Sequence, residues 1–200
     1  SSDTFEKSLQ DVLEEHPQFE QFARRIKFLP HKIRSILVQI RYNTEMRNSF
    51  KSLVKEKTVQ QSTNGDADQL LRDLDTRWLS THHMIDRFLF FREEITKVLK
   101  LPRDESNTYF KDHEIIKEDW VYLQRVRDIL ETFRLSTVKL QASSYPTINE
   151  TIPVIYGLMK TFNSAHFTKA CEENPFISKG VAEARQTILQ YYPIYGESIS

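Results

Sequence analysis

Apolar side chains recur at three- and four-residue steps along most of this chain, and this spacing restricts its fold more than any other feature. The longest run extends from Lys117 for roughly seven helical turns, with apolar-face positions at Trp120, Leu123, Val126, Ile129, Leu130, Phe133, Thr137 and Leu140. Residues at these steps share one face of an α-helix, whereas a strand requires strict alternation. Glycine occurs only four times and proline seven times. The pattern predicts an all-α protein, a multi-helix bundle with long central helices.

The same periodicity predicts the other helices and the connections between them. We expect helices at about 3–15, from Phe19 to Pro30 and from Ile33 to Ile40, and a further one that starts after Thr44 as a possible cap. A long helix is expected through Ile85–Leu99 without a break. Two more are expected at 148–162 around Pro153 and from Val181 to Tyr192. Pro30 either separates two helices or kinks one. A loop is expected at 58–66, a break in the helical pattern at 101–107, and turns at 143–147 and 171–175, while 163–175 as a whole is weakly patterned.

The loop at 58–66 divides the chain into an N-terminal segment, 1–65, and a core segment, 66–200, within one continuous domain. Charge is segregated inside the first segment although the whole chain is formally neutral. Residues 1–20 hold six acidic side chains and one basic one, whereas residues 24–57 hold ten basic and two acidic ones. Phosphate backbones select such a basic stretch, and solvated helix faces also carry one. Within it, Lys32, Arg34 and Arg41 are the candidate DNA contacts.

Several classes of chemistry lack their sequence signatures. The histidines are scattered apart from the neighbours His82 and His83, so we predict no metal site and treat the histidines as surface or partly buried residues. The only cysteine, Cys171, has no partner for an internal disulfide and lies in a predicted turn. No nucleophile elbow or phosphate-binding glycine loop is present. No apolar run approaches the ~20 residues of a membrane span, and no signal peptide is visible. We expect an intracellular protein that is not secreted and contacts no membrane.

One pair of residues differs from the rest of the chain. Arg77 and Trp78 stand between an aspartate-rich segment and an amphipathic run. Tryptophan is a good stacking platform for an unpaired base, and an adjacent arginine can bind phosphate with two hydrogen bonds. Tryptophan is also a common core residue, so the pair alone leaves both interpretations open.

The segment from Asp75 to Arg87, DTRWLSTHHMIDR, resembles a motif of the hAT-superfamily DNA transposases. Arg77, Trp78, Ser80, Thr81, Met84 and Arg87 match that motif, while Leu79, His82 and Ile85 replace its Asn, Tyr and Leu. Further family elements follow in order: Glu118-Asp119-Trp120 with Leu123, then Leu130 to Gln141, then Tyr145-Pro146-Thr147-Ile148 and Pro153. The resemblance covers about 33–162.

The resemblance implies a large helical insertion within an RNase H-like catalytic domain. In that family the insertion brings the Arg-Trp motif to the cleaved DNA end, which assigns base stacking to Trp78, phosphate contact or support to Arg77, and a place beside them to Ser80. The catalytic acids would lie outside this chain, so the fragment alone should be inactive and need no cofactor. The parent would be a nuclear, metal-dependent transposase using Mg²⁺ or Mn²⁺. Expected partners are transposon-end DNA, the remainder of the catalytic domain and a second copy of the chain.

Two functions from different classes remain open at this point. The first is a cut-and-paste transposase insertion that supports DNA binding and end processing, including hairpin formation. The alternative is a structural, oligomerisation or protein-interaction module from a domesticated, transposase-derived protein, which the apolar helices and zero net charge favour. Salt-dependent DNA binding separates them, because phosphate contacts make affinity fall steeply with salt.

Overall fold

A computed structural model describes residues 2–61, 78–101, 114–141 and 148–192. Within these ranges the chain is helical and contains no strand, which confirms the predicted all-α class. The helices are α1 (Ser2–Glu15), α2 (Glu20–Tyr42), α3 (Thr44–Gln61), α4 (Trp78–Phe90), α5 (Arg92–Leu99), α6 (Lys117–Gln141), α7 (Ile148–Phe162), α8 (Ala165–Glu173) and α9 (Pro175–Tyr191), with a 3₁₀ turn at Pro17–Phe19. None of the described helices is long and apolar enough to cross a membrane.

The chain forms two compact units. Unit 1 consists of residues 1–23 and 125–200, and unit 2 consists of residues 24–124, so the second is one continuous stretch and the first is not. Both boundaries fall within helices, in α2 and in α6. The boundary predicted after residue 65 lies outside the described residues and stays a prediction.

Unit 1 packs α1, α7 and α8 around α9. Its core is rich in aromatic side chains: the Phe176 ring lies 5.7 Å from Phe22, and Phe162 lies 5.5 Å from both Phe133 and Phe167 between ring centroids. Edge-on and tilted contacts of this kind suit the ring quadrupoles. Polar contacts between α1 and α9 surround the core, with Ser8 donating to Glu183 at 2.6 Å. Unit 1 is therefore closed by contacts between the earliest and latest described helices.

Unit 2 is built on α2, which buries an apolar stripe along its length. Its fully buried members are Ile26, Leu29, Ile33, Ile36 and Ile40. Helices α3, α4 and α5 complete the core together with the start of α6. The Phe50 ring of α3 lies 5.4 Å from that of Phe91, and the Phe88 ring of α4 stacks on Trp120 of α6 at 5.0 Å.

Helix α2 continues through Pro30, so the prediction of two helices separated there is wrong. Proline removes one backbone donor and crowds the preceding turn, at a cost of roughly 3 kcal/mol or more. The apolar stripe keeps its helical phase across Pro30, with Leu29 before it and Ile33 after it, both at most 2% exposed. Burying each such side chain contributes about 1.5–3 kcal/mol. Pro30 itself is exposed, so its ring takes no place in the buried stripe.

The predicted continuous helix through Ile85–Leu99 is interrupted at Phe91. Phe91 is a turn residue with φ −97° and ψ 22°, between α4 and α5. Its N–H still donates to the Arg87 carbonyl at 3.0 Å, and its carbonyl accepts from Ile95 at 2.9 Å. Phe91 is fully buried against Phe50. The interruption therefore redirects the chain with its hydrogen bonds intact, which periodicity alone does not reveal.

The segment 163–175, weakly patterned in sequence and predicted to end in a turn at 171–175, is mostly the helix α8. Only Phe167 and Ala170 are buried there, so the apolar pattern is too short to predict a helix. Asn174 separates α8 from α9, and its Oδ1 accepts hydrogen bonds from Phe176 and Ile177 at 3.0 and 3.2 Å. This is an N-cap followed by proline in the first turn. The single residue Asn174 therefore replaces the predicted longer turn.

Two smaller corrections concern α3. Asn43 provides its cap instead of Thr44, because the Asn43 Oδ1 accepts from the Met46 N–H at 3.1 Å. The helix extends to Gln61, so the first part of the loop predicted at 58–66 is helical. The remainder of that loop and the turn at 143–147 lie outside the described residues. The predicted helices corresponding to α1, α6, α7 and α9 are confirmed.

Candidate nucleic-acid interface

The Arg-Trp motif meets the described structure at the start of α4. Trp78 is the first residue of that helix, its side chain lies outside the described part, and so does the whole of Arg77. Ser80 lies in the first turn and is half-buried. The roles predicted for these three residues therefore remain predictions.

Helix α4 is held firmly by the core of unit 2. Met84, Ile85 and Phe88 are at most 5% exposed, and the Phe88 ring is nearly parallel to Trp120, with 19° between the planes. The Arg92 guanidinium carbon lies 5.1 Å from the centroid of the Trp120 ring. An aromatic ring and a cation thus both contact Trp120. Trp120 is the core tryptophan of unit 2, and it supports the helix that begins with Trp78.

The histidines beside the motif form a close pair, but no metal site. His82 is 4% exposed, more deeply buried than predicted, and its ring lies 5.5 Å from that of exposed His83. Among the described residues, no three His, Cys, Asp or Glu side chains lie together in a way that could hold a metal ion.

Five of the six basic residues of α2 lie at the two margins of its buried stripe, and the sixth, Arg24, is exposed on the outer side. Arg25 and Lys32, seven residues apart, occupy one margin, because two turns of helix return a side chain to within about 20°. Lys32 donates from Nζ to the Glu114 carbonyl at 2.9 Å. Arg25 donates to Asp119. This margin therefore contacts the segment that leads into α6.

The opposite margin carries Lys27, Arg34 and Arg41, also at seven-residue intervals. Lys27 and Arg34 are exposed and Arg41 is half-buried. Arg34 lies about 160° around the helix from Lys32. The structure thus places Arg34 and Arg41 together and separates Lys32 from them, although the sequence grouped all three.

Asp119 is the polar centre of unit 2, and the sequence placed it in a family motif without indicating its burial or its contact with Arg25. The side chain is 1% exposed and accepts from Arg25 at 3.2 and 2.6 Å and from the Ile116 N–H at 3.2 Å. The last contact is half of a capping box, in which an acidic residue in the first turn reaches back to the residue before the helix. The hydrogen bond to Asp119 raises the pKa of Arg25. The sequence signal that could have indicated this role was the position of an acidic residue in the first turn of α6.

A groove of 490 Å³ lies within unit 1, between α1, α8 and α9. His16, Phe19 and Cys171 line it, and the Lys179 Nζ lies 3.0 Å from the Asp11 Oδ2 at its side. Burial raises the pKa of the Cys171 thiol, which keeps it protonated and poorly nucleophilic. The groove therefore offers no activated nucleophile.

Comparison with known proteins gives one match. A family model for the ZBED1 RNase-like helical domain matches residues 18–129. This range contains α2 to α5 and the first half of α6, and thus the motif, the basic helix and Asp119. No curated protein and no solved structure matches the chain.

The fold defines a class of protein: an all-helical domain in which the described part of the motif lies on a helix packed into the core. The family match covers more than half of the 200 residues, and the chain belongs to the ZBED1 RNase-like helical domain family, which is derived from hAT elements. The resemblance stated above extends to residue 162, beyond this match, and the part after residue 129 rests on the sequence motifs alone.

Proposed function

We propose that this domain supports DNA binding and end processing, including hairpin formation, within a cut-and-paste DNA transposase. The observation that carries the proposal is the charge of α2. From residue 24 to residue 42 this helix has six lysines and arginines and no acidic residue. Solvated helix faces commonly mix both signs, whereas a phosphate backbone selects one.

In this proposal the two margins of α2 have different roles. Lys27, Arg34 and Arg41 bind phosphates along the DNA, and seven-residue spacing sets successive cations about 10 Å apart. Lys32 instead holds the segment before α6 through the Glu114 carbonyl. Its predicted role in DNA binding is thus secondary to a structural one.

The second part of the interface is the start of α4. Trp78 stacks on a base that has left the duplex, Arg77 binds the adjacent phosphate, and Ser80 contacts DNA from the first turn of α4. The packing of Phe88 against Trp120 keeps α4 fixed while its first residue meets DNA. A rigid support is what such a platform needs, because a stacking residue acts only when it is held in place.

The catalytic parts would come from elsewhere in the parent protein, which would act in the nucleus with Mg²⁺ or Mn²⁺. The described residues do not assemble three metal ligands, so they do not fit such an ion. The partners proposed are transposon-end DNA, the remainder of the RNase H-like catalytic domain and a second copy.

Fluorescence anisotropy with a labelled DNA duplex over a range of salt concentrations tests the α2 surface. Each phosphate contact contributes about 0.9 to the slope of log affinity against log salt. The double substitution Lys27→Ala with Arg34→Ala should lower that slope by about 1.8. Lys139→Ala with Lys160→Ala is the matched control, because both lysines are exposed and lie in unit 1. The control should leave the slope unchanged.

Absence of binding by the unmodified chain at low salt would contradict the proposal, as would equal losses in the two double variants. The motif is tested separately in the full-length protein. There, Trp78→Ala should abolish hairpin formation on the flanking DNA while circular dichroism shows unchanged helix content. Normal hairpin formation by that variant would remove Trp78 from the mechanism.

A structural or oligomerisation module is the second candidate, and exposed apolar side chains in unit 1 favour it. Leu135 and Val138 on α6 are each 47% exposed, and Tyr156 on α7 is 51% exposed. Sedimentation of the unmodified chain and of Leu135→Glu tests this function. A dimer that the substitution dissociates, in a chain that does not bind DNA, would establish the module instead.

A further inference from the structure

We propose that the outer face of α2 binds single-stranded DNA, with Phe28 and Tyr42 stacking on unpaired bases. The inference rests on the proposed function and specifies which form of DNA this surface takes. It concerns a site separate from the Arg-Trp motif of α4.

The first observation is the exposure of the two aromatic rings. Phe28 is 61% exposed and Tyr42 is 73% exposed, both on α2. A hydrophobic ring at such exposure gains little from the core of unit 2. Val38, on the same helix, is 49% exposed, so three exposed apolar side chains accompany the basic ones. This composition differs from that of an ordinary solvated helix face.

The second observation is that each exposed ring has a cation beside it. The Lys27 Nζ lies 5.9 Å from the Phe28 ring centroid, and the Arg41 guanidinium carbon lies 5.5 Å from the Tyr42 ring centroid. A base that stacks on either ring therefore has a positive charge close to its own phosphate. Proteins that bind single strands combine these two elements, an aromatic platform and a cationic path for the backbone.

The third observation is the spacing of the two rings. Phe28 and Tyr42 are fourteen residues apart, which places them on the same side of α2 and about 21 Å apart along its axis. Arg34 lies between them along the axis, on the adjoining margin about 80–120° around the helix, where its exposed side chain can bind the intervening phosphates while the bases face the rings. A single strand of several nucleotides spans this distance.

Duplex DNA would make fewer contacts with such a surface than a single strand would. Its bases are stacked on one another, so two rings on a convex helix could not reach a base face and only the cations would contribute. From residue 24 to residue 42, α2 has six basic residues and no acidic one, which also favours a polyanion over a neutral protein surface. Charge and ring exposure together therefore indicate an unpaired nucleic-acid strand as the occupant.

Anisotropy titrations of the 200-residue chain with a labelled oligothymidine and with a duplex of equal length test the proposal. Phe28→Ala and Tyr42→Ala should each weaken single-strand binding about tenfold, because one stacking contact is lost, and should leave duplex binding nearly unchanged. Tyr191→Ala and Tyr156→Ala are the matched controls. Tyr191 is 74% exposed and ends α9 as Tyr42 ends α2, while Tyr156 is 51% exposed within α7. The controls should bind like the unmodified chain.

The outcomes separate this inference from the function on which it rests. Duplex binding that depends on Lys27 and Arg34, with no effect of either aromatic substitution on the single strand, would overturn the inference alone. No binding to either DNA at low salt would overturn both. Loss of a dimer in sedimentation by Phe28→Ala with Tyr42→Ala, without loss of single-strand affinity, would show that a second copy covers this face and would also overturn the inference. Circular dichroism verifies that each variant is folded.

Discussion

Arg25 and Asp119, 94 residues apart in sequence, form a two-point contact, from Nε to Oδ1 at 3.2 Å and from Nη2 to Oδ2 at 2.6 Å. Asp119 is almost completely buried, so an unpaired carboxylate there would be costly. Arg25 is 37% exposed in its side chain, which weakens the contribution of its charge. We expect Asp119→Ala to lower the free energy of unfolding by about 2 kcal/mol, since hydrogen bonds to a charged group are lost. Urea denaturation measures the change.

The neighbouring Glu118 provides the control for that experiment. Glu118 is exposed in the same first turn of α6, and Glu118→Ala should change stability by no more than about 0.5 kcal/mol. A double-mutant cycle with Arg25→Ala isolates the coupling between the pair. Equal effects of Asp119→Ala and Glu118→Ala would show that the buried contact is not a stabilising centre.

Trp120 should be the most sensitive aromatic position tested in unit 2. It is 4% exposed, and both Phe88 and Arg92 contact its ring. Trp120→Ala should lower the free energy of unfolding by about 3–5 kcal/mol, because it removes a large side chain and leaves a cavity. Trp120→Phe keeps a ring against Phe88, so it should lower the free energy of unfolding less than Trp120→Ala does. It should also stay folded if Trp120→Ala does not.

Val121 supplies a comparison next in the chain, because its side chain is 49% exposed. Val121→Ala should stay within about 0.5 kcal/mol of the unmodified chain. Thermal and urea denaturation followed by circular dichroism give both values. A Trp120→Phe variant less stable than Trp120→Ala would contradict the proposed stacking with Phe88.

Tyr122 gives the chain a predicted response to high pH. Burial raises the pKa of Tyr122 from 10.0 to about 12. The folded state therefore favours the neutral phenol, and this contribution is complete below the unfolded pKa and disappears as pH rises through about 12. During an alkaline titration, the ultraviolet absorbance of phenolate should show a late component, a rise that occurs as pH passes through about 12. Helix content should fall in the same pH range.

Tyr122→Phe should remove that late component and leave the earlier absorbance change in place. Tyr156→Phe, which removes a half-exposed phenol on α7, is the control for loss of a phenol elsewhere in the chain. A late component that persists in Tyr122→Phe would assign it to another phenol and would contradict the effect of burial at this position.

Local regularity explains why the sequence predicted most helices correctly. In α6, α7 and α9 the apolar residues repeat through several turns, and this repeat is what a buried helix face requires. The prediction was wrong where a distant partner decides the outcome. Pro30 lies inside α2 because residues on both sides of it are buried, and Phe91 interrupts a helix because its ring packs against Phe50. Neither the burial of the residues around Pro30 nor the contact between Phe91 and Phe50 can be seen from the neighbouring sequence.

In the candidate site, too, the sequence predicted some features and missed those that depend on distant contacts. Charge counting identified the basic helix, and seven-residue spacing placed Arg34 and Arg41 on one face. Continuous helical spacing alone would separate Lys32 from them, but its partner, the carbonyl of Glu114, is 82 residues away and had to come from the structure. The sequence also did not indicate that Phe28 and Tyr42 are exposed, since aromatic residues at helical spacing usually lie in the core. Long-range contacts and exposure therefore had to come from the structure.

The arrangement of unit 1 also restricts the order in which the chain can fold during synthesis. Ser8 in α1 bonds to Glu183 in α9, 175 residues later, so this contact cannot form until α9 has left the ribosome. Unit 2 is one uninterrupted stretch, and all of its residues emerge earlier. Closing so long a loop is entropically unfavourable until other contacts shorten it. The apolar side of the nascent amphipathic helix α1 is therefore not covered by α9 until α9 has been synthesised. During this period a chaperone has most to protect.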